Sequence, residues 1–187
     1  MPPGVGRLCF FPVPGTRQNI FSLSWRCGKL SQMRWFFIDR LVSIEKGVRA
    51  LALKNIAMGE EYLHDLYPGF PYLPNSLVIE SMAQTGGVLV GHALDFKYQV
   101  VLAKVESASF DGLARPGDQL RICAIMNEMK EGVCRVEGTV RVGDRRFASA
   151  RLMFVRYGGP VEREDNFVFH GSLLSFFNLN GDVSDGG

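Results

Sequence analysis

Residues 68–94 read PGFPYLPNSLVIESMAQTGGVLVGHAL, a proline-rich bend followed by a long apolar run that carries one carboxylate, Glu80. The run has no proline after Pro74, and its three glycines fall late. We therefore predict a helix over Ser76–Leu94. Asn75 or Ser76 is the expected N-cap, because short polar side chains there accept hydrogen bonds from the unpaired N–H groups of a first turn.

Apolar side chains occupy most of the circumference of this predicted helix. Its length of about 28 Å is that of a membrane span, but Glu80, Gln84 and His92 argue against a lipid environment. A helix covered by protein on nearly all sides needs a curved sheet around it. Glu80 would then be partly desolvated, which favours a role as general acid. The alternative role for Glu80 is to offset the positive end of the helix dipole.

Length and composition exclude several classes of protein. The chain has 187 residues, 47% hydrophobic and 21% charged, as expected for one soluble globular domain with appended ends. A net charge of +2 without a basic cluster argues against a nucleic-acid partner. Four cysteines without CxxC spacing and only three histidines show no metal-site pattern. We expect reduced thiols, no metal, no membrane span and a cytoplasmic location.

Strand patterns flank the helix on both sides. Before it, Glu45-Lys46-Gly47 predicts a hairpin turn, and after it apolar and polar residues alternate over long segments. The predicted strands are Trp35–Ile38, Leu41–Ile44, Val48–Ile56, Gln99–Phe110, Gln119–Met129, Val133–Val142 and Arg146–Tyr157. A hairpin, one buried helix and an antiparallel meander indicate an α+β hot-dog fold, in which a curved antiparallel sheet wraps one long central helix.

The two ends of the chain do not share this patterning. Residues 1–32 hold four of the nine prolines, and their apolar stretches are too broken for a signal-peptide core. We interpret them as a disordered extension or the result of a start codon assigned too far upstream, with an organelle presequence as the alternative. Residues 33–157 form the predicted hot-dog domain. Residues 158–187 form a tail whose glycine-rich end is expected to be mobile.

Six short motifs between about residue 35 and residue 157 resemble one enzyme family. They are Phe37-Ile38-Asp39-Arg40, Lys54-Asn55, Tyr67-Pro68-Gly69-Phe70-Pro71, Glu80-Ser81-Met82-Ala83-Gln84, Arg115-Pro116-Gly117-Asp118 and Leu152-Met153-Phe154. With these motifs in this order, the chain resembles the 3-hydroxyacyl-acyl-carrier-protein dehydratases of fatty acid synthesis, the FabZ/FabA type. The two ends of the chain lie outside the resemblance.

The resemblance implies the removal of water from a 3-hydroxyacyl thioester carried on a phosphopantetheine arm, with no further cofactor. In the family a histidine takes the proton beside the thioester carbonyl and a helix glutamate, here Glu80, protonates the departing hydroxyl. Backbone N–H groups at the helix start polarise the thioester oxygen. The implied partners are acyl carrier protein or acyl coenzyme A, and a second copy of the chain in a homodimer, with a hexamer as a further assembly. The implied substrate-binding residues are Tyr67, Pro68, Gly69, Phe70, Asn75, Ser76 and Gln84.

The catalytic histidine of the family is missing at its aligned position. The family reads His-Phe-Pro-Gly where this chain reads Leu66-Tyr67-Pro68-Gly69, and the spacing to Glu80 is unchanged. His64 is the nearby candidate base. In an extended connector it would lie about 6.6 Å along the chain from position 66, and its alternative role is that of a solvated loop histidine. Asn75 also replaces a residue that is usually glycine in the family.

These observations leave three functional hypotheses. The first is an acyl-thioester-binding protein whose dehydratase activity is weak or absent unless His64 substitutes for the missing base. The second is a thioesterase-like hydrolase that uses Glu80. The third is a non-catalytic subunit that binds acyl carrier protein or an active paralogue.

Overall fold

The computed structural model describes residues 36–65, 68–160, 177 and 179. These residues form six strands and two helices. The strands are β1 (Arg40–Glu45), β2 (Arg49–Asn55), β3 (Gln99–Phe110), β4 (Gln119–Lys130), β5 (Val133–Val142) and β6 (Arg145–Tyr157), and the helices are α1 (Tyr62–Asp65) and α2 (Asn75–Ala93). The predicted hairpin, long helix and meander are all present.

The six strands form one antiparallel sheet in the order β1-β2-β4-β5-β6-β3. Strand β3, the first after the helix, pairs at the far edge with the last strand, β6. Among the described strands, β1 and β3 are therefore the two edges of the sheet. The prediction of an α+β hot-dog fold is confirmed.

Helix α2 packs against one face of the sheet, and the alternation of side chains along each strand explains why. On β4 the side chains of Leu120, Ile122 and Ala124 are buried, whereas Arg121 and Ile125 point to the opposite face and are exposed. Burial of one face in this two-residue period fixes the register of each strand. The outward-pointing face remains largely open.

Two glycines allow α2 to approach the sheet closely. A Cβ atom built on Gly138 of β5 would lie 2.9 Å from the sulfur of Met82. A Cβ atom on Gly86 of the helix would lie 3.1 Å from the ring of Phe154 and 3.2 Å from Val136. Helix α2 and the sheet are thus in close contact at two points, and at each point one of the two contacting residues is a glycine.

Helix α2 begins one residue earlier than predicted, and its N-cap prediction is wrong. Pro74 occupies the cap position with φ −54° and ψ 140°, and neither Asn75 nor Ser76 makes a side-chain capping bond. The Pro74 carbonyl accepts the N–H of Leu77 at 2.9 Å and that of Val78 at 3.2 Å. A proline suits this place because its fixed φ and missing N–H cost nothing just before a helix.

Other differences lie in short segments. The predicted strand Trp35–Ile38 is absent at residues 36–38, which have no regular structure, while Trp35 lies outside the described residues. The connector after β2 contains the single turn α1 instead of being extended.

Little of residues 158–187 is described, but Phe177 is only 7% exposed and belongs to the core, and Leu179 packs against it. No helix in the described part of the chain is long and apolar enough to cross a membrane.

Candidate functional site

Glu80 lies in the second turn of α2 and is half-buried. Its Oε1 atom accepts a hydrogen bond from Nε2 of Gln84 at 3.0 Å. The amide oxygen of Gln84 in turn accepts the backbone N–H of Phe37 at 2.9 Å. A backbone N–H can only donate, so it fixes the orientation of the Gln84 amide and directs its NH₂ group to the carboxylate. Gln84, predicted to bind substrate, is thus also the residue that orients Glu80.

The start of α2 offers two backbone donors. The carbonyl of Pro74 takes the N–H groups of Leu77 and Val78, whereas those of Asn75 and Ser76 have no acceptor within the described residues. Ser76 is exposed. The Oδ1 atom of Asn75 is buried without a hydrogen-bond partner in this part of the chain. This helix end can therefore stabilise negative charge on an oxygen atom placed before it.

The bend before α2 is held by a contact with the β3–β4 loop. Leu73 donates its backbone N–H to the carbonyl of Ala114 at 2.8 Å. The guanidinium carbon of Arg115 lies 5.1 Å from the centre of the Phe70 ring, which is exposed. Pro68 and Gly69 are also exposed, and Gly69 has a φ of 83° that favours glycine. Tyr67, the remaining predicted residue of the bend, lies outside the described residues.

His64 lies in α1 and is exposed. Its Nε2 atom is 2.6 Å from the backbone carbonyl oxygen of Met58. The neutral ring can donate from Nε2 there, which leaves Nδ1 as the acceptor. The helical turn, formed instead of an extended connector, removes the basis for placing His64 about 6.6 Å from position 66. No described hydrogen bond joins His64 to Glu80, and Leu66 lies outside the described residues.

Sequence reasoning missed the network around Lys54. Lys54 is only 5% exposed, and its Nζ lies 2.5 Å from Oε1 of Glu60 and 3.4 Å from Oδ1 of Asp39. Tyr62 donates its hydroxyl to Glu60, and burial together with this bond raises the Tyr62 pKa. The network ties α1 to the end of β2. The missed signal was the two-residue period Ala50, Ala52, Lys54, which places Lys54 on the buried face.

Among the described residues, the cysteines and acids form no metal-binding cluster. Cys123 is half-buried and Cys134 buried, and burial raises the pKa of both thiols. In the described ranges no three histidine, cysteine, aspartate or glutamate side chains lie close enough to hold a metal ion. The groups of the candidate site that can take part in chemistry are therefore the Glu80 carboxylate and the backbone N–H groups at the start of α2.

Comparison with known families agrees with this arrangement. A sequence model of the FabA-like domain matches residues 30–151, which include the bend, the helix and most of the sheet. The chain belongs to the FabA-like family. Within this family of hot-dog proteins it is related to the 3-hydroxyacyl-[acyl-carrier-protein] dehydratases of the FabZ type. The resemblance inferred from the sequence motifs is confirmed.

Bacterial relatives show the extent of this similarity. The FabZ dehydratase of Thermoanaerobacter sp. strain X514 is 32% identical over 122 residues, which cover 65% of this chain and 86% of the relative. The FabZ dehydratase of Symbiobacterium thermophilum is 39% identical over 121 residues, covering 64% and 85%. The matched region thus spans most of each relative.

Solved structures share the fold at low sequence identity. The protein smu.793 of Streptococcus mutans UA159, bound to acetyl coenzyme A, has a TM-score of 0.55 at 17% identity, covering 71% of this chain and 98% of its own. A hypothetical thioesterase of Streptococcus pneumoniae TIGR4, solved with coenzyme A, has a TM-score of 0.54 at 10% identity. The match covers 65% of this chain and 88% of the thioesterase chain. At these identities the likeness concerns the fold alone.

Proposed function

We propose that this protein binds acyl thioesters carried on phosphopantetheine and that its dehydratase activity is weak or absent because Leu66 stands where the family has its catalytic histidine. One observation carries the proposal. The spacing from Leu66 to Glu80 is that of the family, so the acid is kept and the base is lost.

Glu80 is suited to the role of proton donor. Gln84 holds one of its carboxylate oxygens, and Oε2 is the atom available to pass a proton to a departing hydroxyl. The N–H groups of Asn75 and Ser76 would polarise the thioester carbonyl, which makes the neighbouring C–H acidic. A base must then take that proton, and a leucine side chain has no atom that accepts one.

The expected loss of rate is large. A positioned general base contributes about 10²–10⁴-fold to the rate, so its absence raises the barrier by about 3–5 kcal/mol. Glu80 alone does not compensate for this loss. It would have to be ionised to take one proton and protonated to give the other.

His64 is the competing base. Its exposed ring keeps Nδ1 as an acceptor while Nε2 meets the Met58 carbonyl. For His64 to act, α1 must move so that this nitrogen reaches the substrate. We prefer a site without a base to catalysis by His64, because the Lys54–Glu60–Tyr62 contacts hold α1 to β2.

Restoration of the histidine tests the proposal directly. Leu66→His should increase formation of the enoyl thioester from a 3-hydroxyacyl thioester by at least an order of magnitude, and Glu80→Gln in the same protein should abolish the gain. Leu66→Met is the matched control, because it fills similar space without a base. Ordinary dehydratase turnover of the unmodified protein that disappears in His64→Ala would contradict the proposal.

A second function is hydrolysis of the thioester. Glu80, with one oxygen held and a helix N-terminus nearby, has the groups to activate water and stabilise an oxyanion without a histidine. Saturated acyl thioesters distinguish this function, because they can release free thiol but cannot lose water. Thiol release that depends on Glu80 would favour the hydrolase, and neither product with either substrate would favour a non-catalytic subunit.

The partners follow from the same proposal. The FabZ relatives are named for acyl-carrier-protein substrates, and two fold neighbours were solved with coenzyme A or with acetyl coenzyme A. We propose acyl carrier protein or acyl coenzyme A as carrier and a homodimer as the assembly, with a hexamer as the higher form. Tyr67, Pro68, Gly69, Phe70, Asn75 and Ser76 remain the proposed contacts to substrate, and a cytoplasmic location remains a prediction.

A further inference from the structure

Four arginines lie in one row across the outer face of the sheet, opposite the helix. The row is Arg40, Leu53, Arg121, Arg141 and Arg146, and each member is the register partner of the next on strands β1, β2, β4, β5 and β6. All four arginines are exposed. Neighbouring strands are about 4.8 Å apart, so Arg121, Arg141 and Arg146 place three like charges on three adjacent strands.

This arrangement is unfavourable without a negative partner. Like charges directly opposite each other on paired strands destabilise a sheet. Yet in the described part of the chain none of the four arginines forms an ion pair with a carboxylate. The Arg141 guanidinium donates instead to the backbone carbonyl of Asp144.

A second row of the same face, nearer the β1–β2 hairpin, contains charges of both signs. Its members are Glu45, Arg49, Ile125, Glu137 and Arg151, again in direct register. Here acids alternate with bases, and Arg49 pairs with Glu45 at 3.3 Å. The sheet therefore balances charge in one row and concentrates positive charge in the other.

An uncharged strip separates these two rows, and a cavity of about 400 Å³ opens there. Its lining includes apolar Val42, Leu51 and Leu53 together with Cys123, Thr139, Arg121 and Arg141. The volume is in the range of small-molecule sites, about 300–1,000 Å³. An apolar wall next to two arginines matches a molecule with an alkyl chain and an anionic end.

We propose that this outer cavity binds a medium- or long-chain carboxylate, with the alkyl chain against Leu51 and Leu53 and the carboxylate between Arg121 and Arg141. Guanidinium groups bind carboxylates through paired N–H donors. The site is separate from Glu80, because Arg121 and Arg141 point away from the face that α2 covers. It therefore does not depend on the function proposed above.

A small molecule fits this surface better than a macromolecule. The basic row is one residue wide, and the alternating row beside it would place Glu45 and Glu137 against a polyanion or an anionic membrane. An acidic protein surface would meet the same two carboxylates. An anion with a single charged end uses the basic row and the uncharged strip without reaching the acids.

Cys123 provides a probe of occupancy. Cys123 is half-buried and lines the cavity, so a bound alkyl chain would shield its thiol from an alkylating reagent. We would add decanoate, below its micelle-forming concentration, to the full-length chain and follow iodoacetamide labelling of Cys123 by peptide mass spectrometry. Decanoate should slow labelling in a saturable manner. Decanol and acetate, which lack the charge or the chain, should need at least tenfold higher concentrations.

Variants decide whether the arginines recognise the charge. Arg121→Gln with Arg141→Gln should raise the half-saturating decanoate concentration at least tenfold, each protein being compared with its own ligand-free labelling rate. The control Arg151→Gln removes one charge from the same face and should leave this concentration unchanged. Equal protection by decanol, no protection by decanoate, or unchanged protection in the double variant would overturn the proposal. Binding of polyglutamate or anionic vesicles, in the absence of decanoate protection, would overturn it in favour of a macromolecular partner.

Discussion

At the scale of single residues, Gln84 connects helix α2 to the segment before β1. One end of its amide accepts the N–H of Phe37, and the other donates to Glu80. The sequence placed Gln84 one helical turn after Glu80, at the spacing at which side chains meet. It could not predict Phe37, which is distant in the chain, as the group that sets the orientation of the amide.

Replacement of Gln84 tests this connection. Gln84→Leu removes the acceptor of the Phe37 N–H and the donor to Glu80, so it should lower the free energy of unfolding by about 1–3 kcal/mol. Urea denaturation would measure the change. Gln84→Glu keeps an acceptor for the Phe37 N–H but loses the amide N–H that holds Glu80. It should therefore lower the rate of enoyl formation by the Leu66→His protein, while it lowers the free energy of unfolding less than Gln84→Leu does. An unchanged unfolding midpoint in Gln84→Leu would contradict the structural role.

His92 lies near the end of α2 with its Nδ1 atom buried and lacking a partner within the described residues. Its ring packs 5.9 Å from that of Phe96. Burial lowers its pKa from the ordinary value of 6.5, nearby Lys46 lowers it further, and Asp95 opposes the shift. The unfolded chain therefore binds a proton more readily than the folded chain as the pH falls below 6.5.

This difference predicts acid sensitivity. Because the unfolded state binds more protons, stability should fall as the pH drops from 6.5 towards the lower pKa of folded His92. We expect the thermal midpoint of the native protein to fall more between about pH 7 and about pH 5 than that of His92→Gln. The Lys46–Asp95 pair is present in both proteins, and it lowers the Asp95 pKa below 3.8, outside this window. Equal slopes for the two proteins would refute the prediction.

At the scale of elements, the strands were the easiest part to predict. Val133–Val142 has the predicted bounds because alternation on a sheet with one buried face leaves a regular two-residue signal. Gln99–Phe110 also has the predicted bounds, although most of its residues are exposed and do not alternate in burial. Short elements gave no such signal. The turn α1 and the irregular residues 36–38 depend on tertiary contacts. Lys54, near the end of β2, has the sequence pattern of a surface lysine, and its carboxylate partners Asp39 and Glu60 are set by the fold.

The contact between α2 and β5 gives a prediction of its own. Gly138→Ala would press a methyl group against Met82 and should lower the free energy of unfolding by about 1–3 kcal/mol, as overpacking does. Gly59→Ala is the matched control, because nothing lies within 4 Å of the added Cβ atom. Chemical denaturation of both variants would check the difference. An unchanged free energy of unfolding in Gly138→Ala would mean that the Met82 side chain can move to make room for the methyl group.

At the scale of the whole molecule, the edges of the sheet are the feature that bears on assembly. The resemblance to the dehydratases implies a homodimer in which Glu80 and position 66 of one site come from different copies of the chain, and this stays a prediction. Strand β3 is an edge strand of 12 residues, and its Val101 and Val105 are 44% and 38% exposed. An open edge of this length is a surface on which a second copy can pair by two-fold symmetry.

We therefore expect a dimer in solution. Light scattering on a sizing column should give at least twice the mass of the chain, and Val101→Lys with Val105→Lys should shift the population towards the monomer by placing charge on the edge. Thr139→Lys is the control, because it adds charge on the sheet away from both edges. A monomeric mass together with a well-folded circular dichroism spectrum would exclude this assembly.

The strand order also has a consequence for synthesis on the ribosome. Strand β3 leaves the exit tunnel soon after α2, but among the described strands it pairs only with β6, which is made after all the others. At about 5–20 residues per second, β3 waits several seconds with both of its edges unpaired and with the apolar helix lacking half of its sheet. Nascent chains of this fold should therefore engage chaperones until residue 157 has emerged, and slow codons between β3 and β6 should increase the fraction that aggregates.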